Sequence, residues 1–121
     1  MSRETTVAPV NSILFISDLD GVEVPAIERG ASIWKTDTCI AFATYPEQDG
    51  DTRLILGSID EVNPGRAADL DTTIDTPTRR LVVETAVRET IFDLAVASSK
   101  TRVALWLSHP RWPERVIIGV G

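Results

Sequence analysis

The sequence predicts a domain built mainly from short β-strands, and three stretches carry that prediction. Ile13-Leu14-Phe15-Ile16 is an unbroken apolar run leading into the turn residues Ser17-Asp18-Leu19-Asp20-Gly21, the pattern of a strand buried on both faces. Residues 101–108 alternate, with Val103, Leu105 and Leu107 on one face and Arg102, Ala104, Trp106 and Ser108 on the other. Val116-Ile117-Ile118-Gly119-Val120 reads as a final buried strand.

Taken in order, residues 1–10 read as a flexible, loosely held arm, and residues 11–121 as one domain. After the first strand and its Asp-Gly turn comes a brief extended piece, Val22-Glu23-Val24. Pro25-Ala26-Ile27-Glu28-Arg29-Gly30 places Pro and Gly at the two ends of a short helical turn. Residues 38–45 are rich in β-formers, residues 46–51 form a loop tipped by Asp49-Gly50, and residues 53–59 return, which predicts a hairpin. Asn63-Pro64-Gly65 marks a further turn. Residues 70–76 alternate weakly and carry charges that suit an edge strand, closed by Pro77-Thr78.

Residues 79–97 admit two readings. Val83, Val87, Ile91, Leu94 and Ala95 fall at helical spacing, with Thr76 as N-cap and Pro77 at the first helical position. Alternatively Leu81, Val83, Thr85 and Val87 form one face of a strand, with a turn near Arg88-Glu89 and a second strand over residues 91–96.

The 121 residues are enough for one hydrophobic core, and 43 % hydrophobic with 25 % charged residues is the composition of a globular chain. The net charge of −6 argues against direct contact with nucleic acid or an anionic membrane. Residues 1–77 carry 14 of the 18 acids and 5 of the 12 bases, a balance of −9, whereas residues 78–121 stand at +3. An acidic surface that meets a basic partner is one consequence of this asymmetry; simple solubility is the other. The lone Cys39 excludes an internal disulfide and a cysteine-based zinc site, and its apolar neighbours suit a buried thiol. No run approaches the ~18 apolar residues of a membrane span, and residues 1–12 lack the apolar region of a secretory signal. A cytoplasmic protein is the expectation.

Asp18-Leu19-Asp20-Gly21 after a buried strand resembles the first motif of the haloacid-dehalogenase phosphatases, in which one aspartate attacks phosphorus and the other protonates the leaving group. That chemistry also needs a lysine and further acids for Mg²⁺. After Ser108 the chain offers no lysine and one acid, Glu114. A calcium loop fails as well, since Ile16 and Ile27 stand where acidic ligands are required. An acidic turn held by side-chain to backbone hydrogen bonds is the better reading. His109 beside Ser108 lacks a nucleophile elbow and reads as a loop histidine, and a single histidine makes no metal site. Trp106 and Trp112, with Arg111 and Arg115, are the residue types that anchor interfaces; for Trp106 burial in a covered sheet face is the favoured alternative.

The order of elements resembles the competence protein J family of small acidic all-β proteins. Ala26-Ile27-Glu28-Arg29-Gly30, then Cys39-Ile40-Ala41-Phe42 and the returning Arg53-Leu54-Ile55-Leu56, carry the resemblance. The second half follows in register, although Ser98-Ser99-Lys100-Thr101 replaces the tight turn of the family. The resemblance implies an all-β, antiparallel sandwich of about eight strands, with residues 79–97 as two strands. It implies a non-enzymatic, nuclease-inhibiting protein that takes no cofactor. Asp18, Asp20, Glu23, Asp49, Asp51 and Trp112 are then the candidate partner-binding residues. A phosphatase using Asp18 and Asp20, and a sandwich that binds a small molecule or forms a homodimer, are the alternatives.

Overall fold

The computed structural model describes residues 2–21 and 23–121; Met1 of the expected arm and Val22 of the expected extended piece lie outside the described residues. Among the described residues, ten strands form a sandwich of two five-stranded sheets. In chain order they are β1 (Arg3–Val7), β2 (Ile13–Asp18), β3 (Ile33–Lys35), β4 (Cys39–Ala43), β5 (Thr52–Ser58), β6 (Leu70–Asp75), β7 (Arg80–Thr85), β8 (Thr90–Ala95), β9 (Lys100–Leu107) and β10 (Arg115–Val120). One sheet has the order β1-β5-β10-β9-β6 and the other β3-β4-β2-β7-β8. All pairings are antiparallel except β5 with β10, which run parallel.

The core follows the period-2 rule of strands. Leu14 and Ile16, Ile40 and Phe42, Leu81 and Val83 point inward from one sheet; Leu54 and Leu56, Val103 and Leu105, Val116 and Ile118 meet them from the other. Burying each such side chain contributes roughly 1.5–3 kcal/mol. β2 is central as its apolar run suggests, with β4 on one side and β7 on the other. Residues 79–97 are the β7–β8 pair and not a helix. The turn between them places Arg88 at φ 66°, and Arg80 and Asp93 form a cross-strand ion pair at 2.6 Å.

Three local expectations fail. Residues 3–7 are not a loose arm: β1 adds to the edge of β5 in the register Arg3↔Leu56 to Val7↔Thr52, and Val7 packs against the core. The hairpin expected between residues 38–45 and 53–59 is not formed. β4 lies between β3 and β2, whereas β5 lies in the opposite sheet between β1 and β10. Phe42 and Leu54 thus face the same core from opposite sides, and the loop between them crosses the ~10 Å gap between sheets. Residues 25–30 contain no helix and end in a turn at Arg29-Gly30, where Gly30 takes φ 87°. They continue a strap: Trp34 Nε1 donates to Glu28 O at 3.0 Å and Thr36 Oγ1 to Glu23 O at 3.1 Å, and Pro25 is buried.

The short α-helix is instead α1 (Ile59–Val62), capped by Ser58 Oγ, which accepts from Glu61 N at 3.3 Å. It covers the outer face of β5 and β10 and meets the side chain of Trp106 from β9. Gly119 makes this close approach possible, because a Cβ there would lie 2.9 Å from Ile59 Cγ1 and 3.0 Å from Trp106 Cζ3. Trp106 is buried in this second cluster with Ala104 and Ile117 against Ile59 and Val62.

Candidate functional site

The strand directions place the loops in two groups at opposite ends of the sandwich. One end gathers the turn after β2, the β3–β4 turn, the β6–β7 turn and the β8–β9 turn. The other gathers the β4–β5 loop and the β9–β10 loop. The candidate residues divide between them: Asp18, Asp20 and Glu23 belong to the first end, Asp49, Asp51 and Trp112 to the second. They therefore form two patches and not one.

At the first end Asp18 is not a surface carboxylate. It is 2 % exposed, and both oxygens are engaged. Oδ1 accepts from Thr78 N at 3.0 Å and from Thr78 Oγ1 at 2.8 Å, and Oδ2 accepts from Asp20 N at 3.1 Å. The motif closes its own turn, with Gly21 N donating to Asp18 O at 2.8 Å. Gly21 serves this turn through space and not through positive φ, since a Cβ would lie 2.9 Å from both Asp18 O and Ser17 Cβ. Asp18 thus latches the end of β2 to the β6–β7 turn.

Asp20 and Glu23 are exposed beside it, and Asp37 joins them through the β3–β4 turn, where its carbonyl accepts from Asp75 N at 2.8 Å. Asp75 is paired with Lys100 Nζ at 2.7 Å. Among the described residues, Asp20, Glu23 and Asp37 form no ion pair. Together these turns border a groove of about 440 Å³ with Thr38 and Pro77 in its wall. Sequence reasoning misses Thr78 and Asp37 because they lie far from Asp18 in the chain and match no local motif. Among the described residues no group of His, Cys, Asp and Glu is arranged to hold a metal ion.

At the second end Trp112 is 55 % exposed and stacks on His109, with ring centroids 5.5 Å apart and planes 13° from parallel. His109 Nδ1 accepts from both Arg111 N and Trp112 N at 3.1 Å. The histidine is therefore a loop residue with a structural task. Ser108 Oγ accepts from Arg115 N at 3.0 Å and does not pair with His109.

Cys39 lies on the outward face of β4, beneath the strap, and is 4 % exposed. Burial, with a smaller push from the Glu84 carboxylate, raises its thiol to about 11. Little thiolate then exists at neutral pH, so iodoacetamide at pH 8 is expected to leave the native chain unmodified and to label it in urea. Labelling of the native chain at the unfolded rate would show that the strap opens freely.

Among the described residues, no helix is long and apolar enough to cross a membrane. No family model and no curated protein sequence matches the chain. Two solved structures match in fold over nearly the whole length. One is ComJ of Bacillus subtilis, an inhibitor of the DNA-degrading activity of NucA, with a TM-score of 0.67 at 9 % identity over 99 % of this chain and 96 % of ComJ. The other is the crocagin biosynthetic gene J product, with a TM-score of 0.54 at 16 % identity and the same coverage. The fold is that of ComJ.

Proposed function

We propose that the chain is a non-enzymatic binding protein that inhibits a DNA-degrading nuclease by covering a basic surface on it. The full-length match to the fold of an inhibitor, ComJ, is the observation that carries this reading. Charge supports it: a surface that must grip phosphate is cationic, and carboxylates meet it with steered, fast association. The docking surface in this reading is the acidic end, with Asp20, Glu23 and Asp37 as contacts and Asp18 holding the turn that presents Asp20.

The test is a DNA-degradation assay with the nuclease encoded nearest this chain's gene, with and without the purified protein. Asp20→Lys combined with Glu23→Lys is expected to weaken inhibition about tenfold or more, a loss near 1.4 kcal/mol. Both residues are exposed, so folding stability should stay within about 0.5 kcal/mol of the parent. Raising the salt concentration should weaken the parent complex far more than the reversed one. Absence of both inhibition and binding would refute the reading.

A further inference from the structure

We propose that Trp112, Tyr45 and Asp49 form a receiving pocket for one basic side chain, arginine or lysine, of a partner protein. This concerns the end of the sandwich remote from the acidic groove and stands whether or not that groove meets a nuclease.

Trp112 is a displayed residue and not a stray one. Both backbone N–H groups that hold its loop end on the same histidine nitrogen, and the stack on His109 fixes the indole plane. The loop base is closed by Ser108 N donating to Arg115 O at 3.0 Å and by the return bond from Arg115 N to Ser108 Oγ at 3.0 Å. A large aromatic side chain that is held in place while exposed is a preorganised anchor.

Stacking uses one face of the indole. Beside it runs a groove of about 290 Å³ lined by Tyr45, Pro46, Asp49 and Trp112. The backbone of its walls is held in place: Tyr45 N donates to Thr52 Oγ1 at 2.9 Å and Asp49 N donates to Pro46 O at 2.9 Å. Asp49 supplies the one charged group among these four residues, and among the described residues it forms no ion pair.

Two aromatic rings with negative faces and one carboxylate all favour the same occupant, a cation. The neighbouring groove on the His109 side carries Arg115 and Glu114 and lacks this preference. An open groove this small suits one side chain projected from a protein surface better than a ligand buried on all sides.

The test uses the full chain, reading the indole N–H signals of Trp34, Trp106 and Trp112 by NMR, with Trp112→Phe to assign the third. The probe is a glycine–arginine–glycine peptide with blocked ends, and the control is the same peptide with neutral citrulline in place of arginine. Saturable movement of the Trp112 signal with a millimolar Kd, at least about fivefold tighter for arginine than for citrulline, supports the pocket. Asp49→Asn should then weaken the arginine peptide about threefold or more while the rest of the spectrum stays unchanged. Equal response to both peptides, no movement of the Trp112 signal at about 10 mM peptide, or indifference to Asp49→Asn would overturn it. Inhibition of a nuclease enters none of these readouts, so the two proposals fail separately.

Discussion

Trp106→Ala is expected to lower the stability of the chain by about 3–5 kcal/mol, enough to shift a urea midpoint strongly or to prevent folding. The indole is 3 % exposed and packs on the outer face of the sheet with Ala104, Ile117 and the α1 residues Ile59 and Val62. Removing it opens a cavity under Ile59 and Val62 that the capped single-turn helix cannot close, and it leaves Arg66 O without the bond from Trp106 Nε1 at 2.9 Å. Trp106→Phe should cost less, about 1–2 kcal/mol, because most of the apolar contact survives and the hydrogen bond does not. Trp112→Ala, by contrast, should stay within about 0.5 kcal/mol, since its ring is mostly in water and stacks on one residue. Urea titrations of the three variants check the order. A Trp106→Ala chain as stable as the parent would mean that α1 does not hold the outer face.

Those two tryptophans show what the sequence could and could not disclose. Alternation marks Trp106 as opposite to Val103, Leu105 and Leu107, but alternation does not say whether the outer face is covered. The cover comes from α1, and a signal for it was present: Ser58-Ile59-Asp60-Glu61 is a capping box, serine followed three residues later by glutamate. Its shortness hides it, since four residues show no helical periodicity. The buried strands β2, β9 and β10 and the edge strand β6 were legible because burial writes apolar runs and alternation directly into a strand. The pairing of strands was not. Residues 38–45 and 53–59 have every local mark of a hairpin, yet they lie in opposite sheets, because a loop of that length allows either outcome and the choice depends on partners distant in the chain. The resemblance to competence protein J, and no local property of residues 79–97, separated two strands from one helix.

The candidate site follows the same division. That Asp18-Leu19-Asp20-Gly21 is an acidic turn was readable from residue types, but the burial of its first aspartate was not, since the donors come from Thr78 across the fold. Asp18→Ala is therefore expected to destabilise the chain by about 2–4 kcal/mol. The substitution removes the acceptor for the Thr78 amide, the Thr78 hydroxyl and the Asp20 amide, and it frees the end of β2 from the β6–β7 turn. Asp18→Asn keeps one carbonyl oxygen for Thr78 but turns an amide donor toward another donor, so about 1–2 kcal/mol should be lost. Thr78→Val deletes only the hydroxyl. Because these groups touch, the Asp18→Asn and Thr78→Val effects should fall short of additivity by at least about 0.5 kcal/mol. An aspartate kept for nucleophilic attack would behave differently: its amide variant would lose turnover of a phosphate ester and keep the parent's urea midpoint. The Asp18 carboxylate already accepts three hydrogen bonds from donors of the fold, with both oxygens engaged. Full stability of Asp18→Asn would sink the latch and, with it, the account of how Asp20 is held toward a partner.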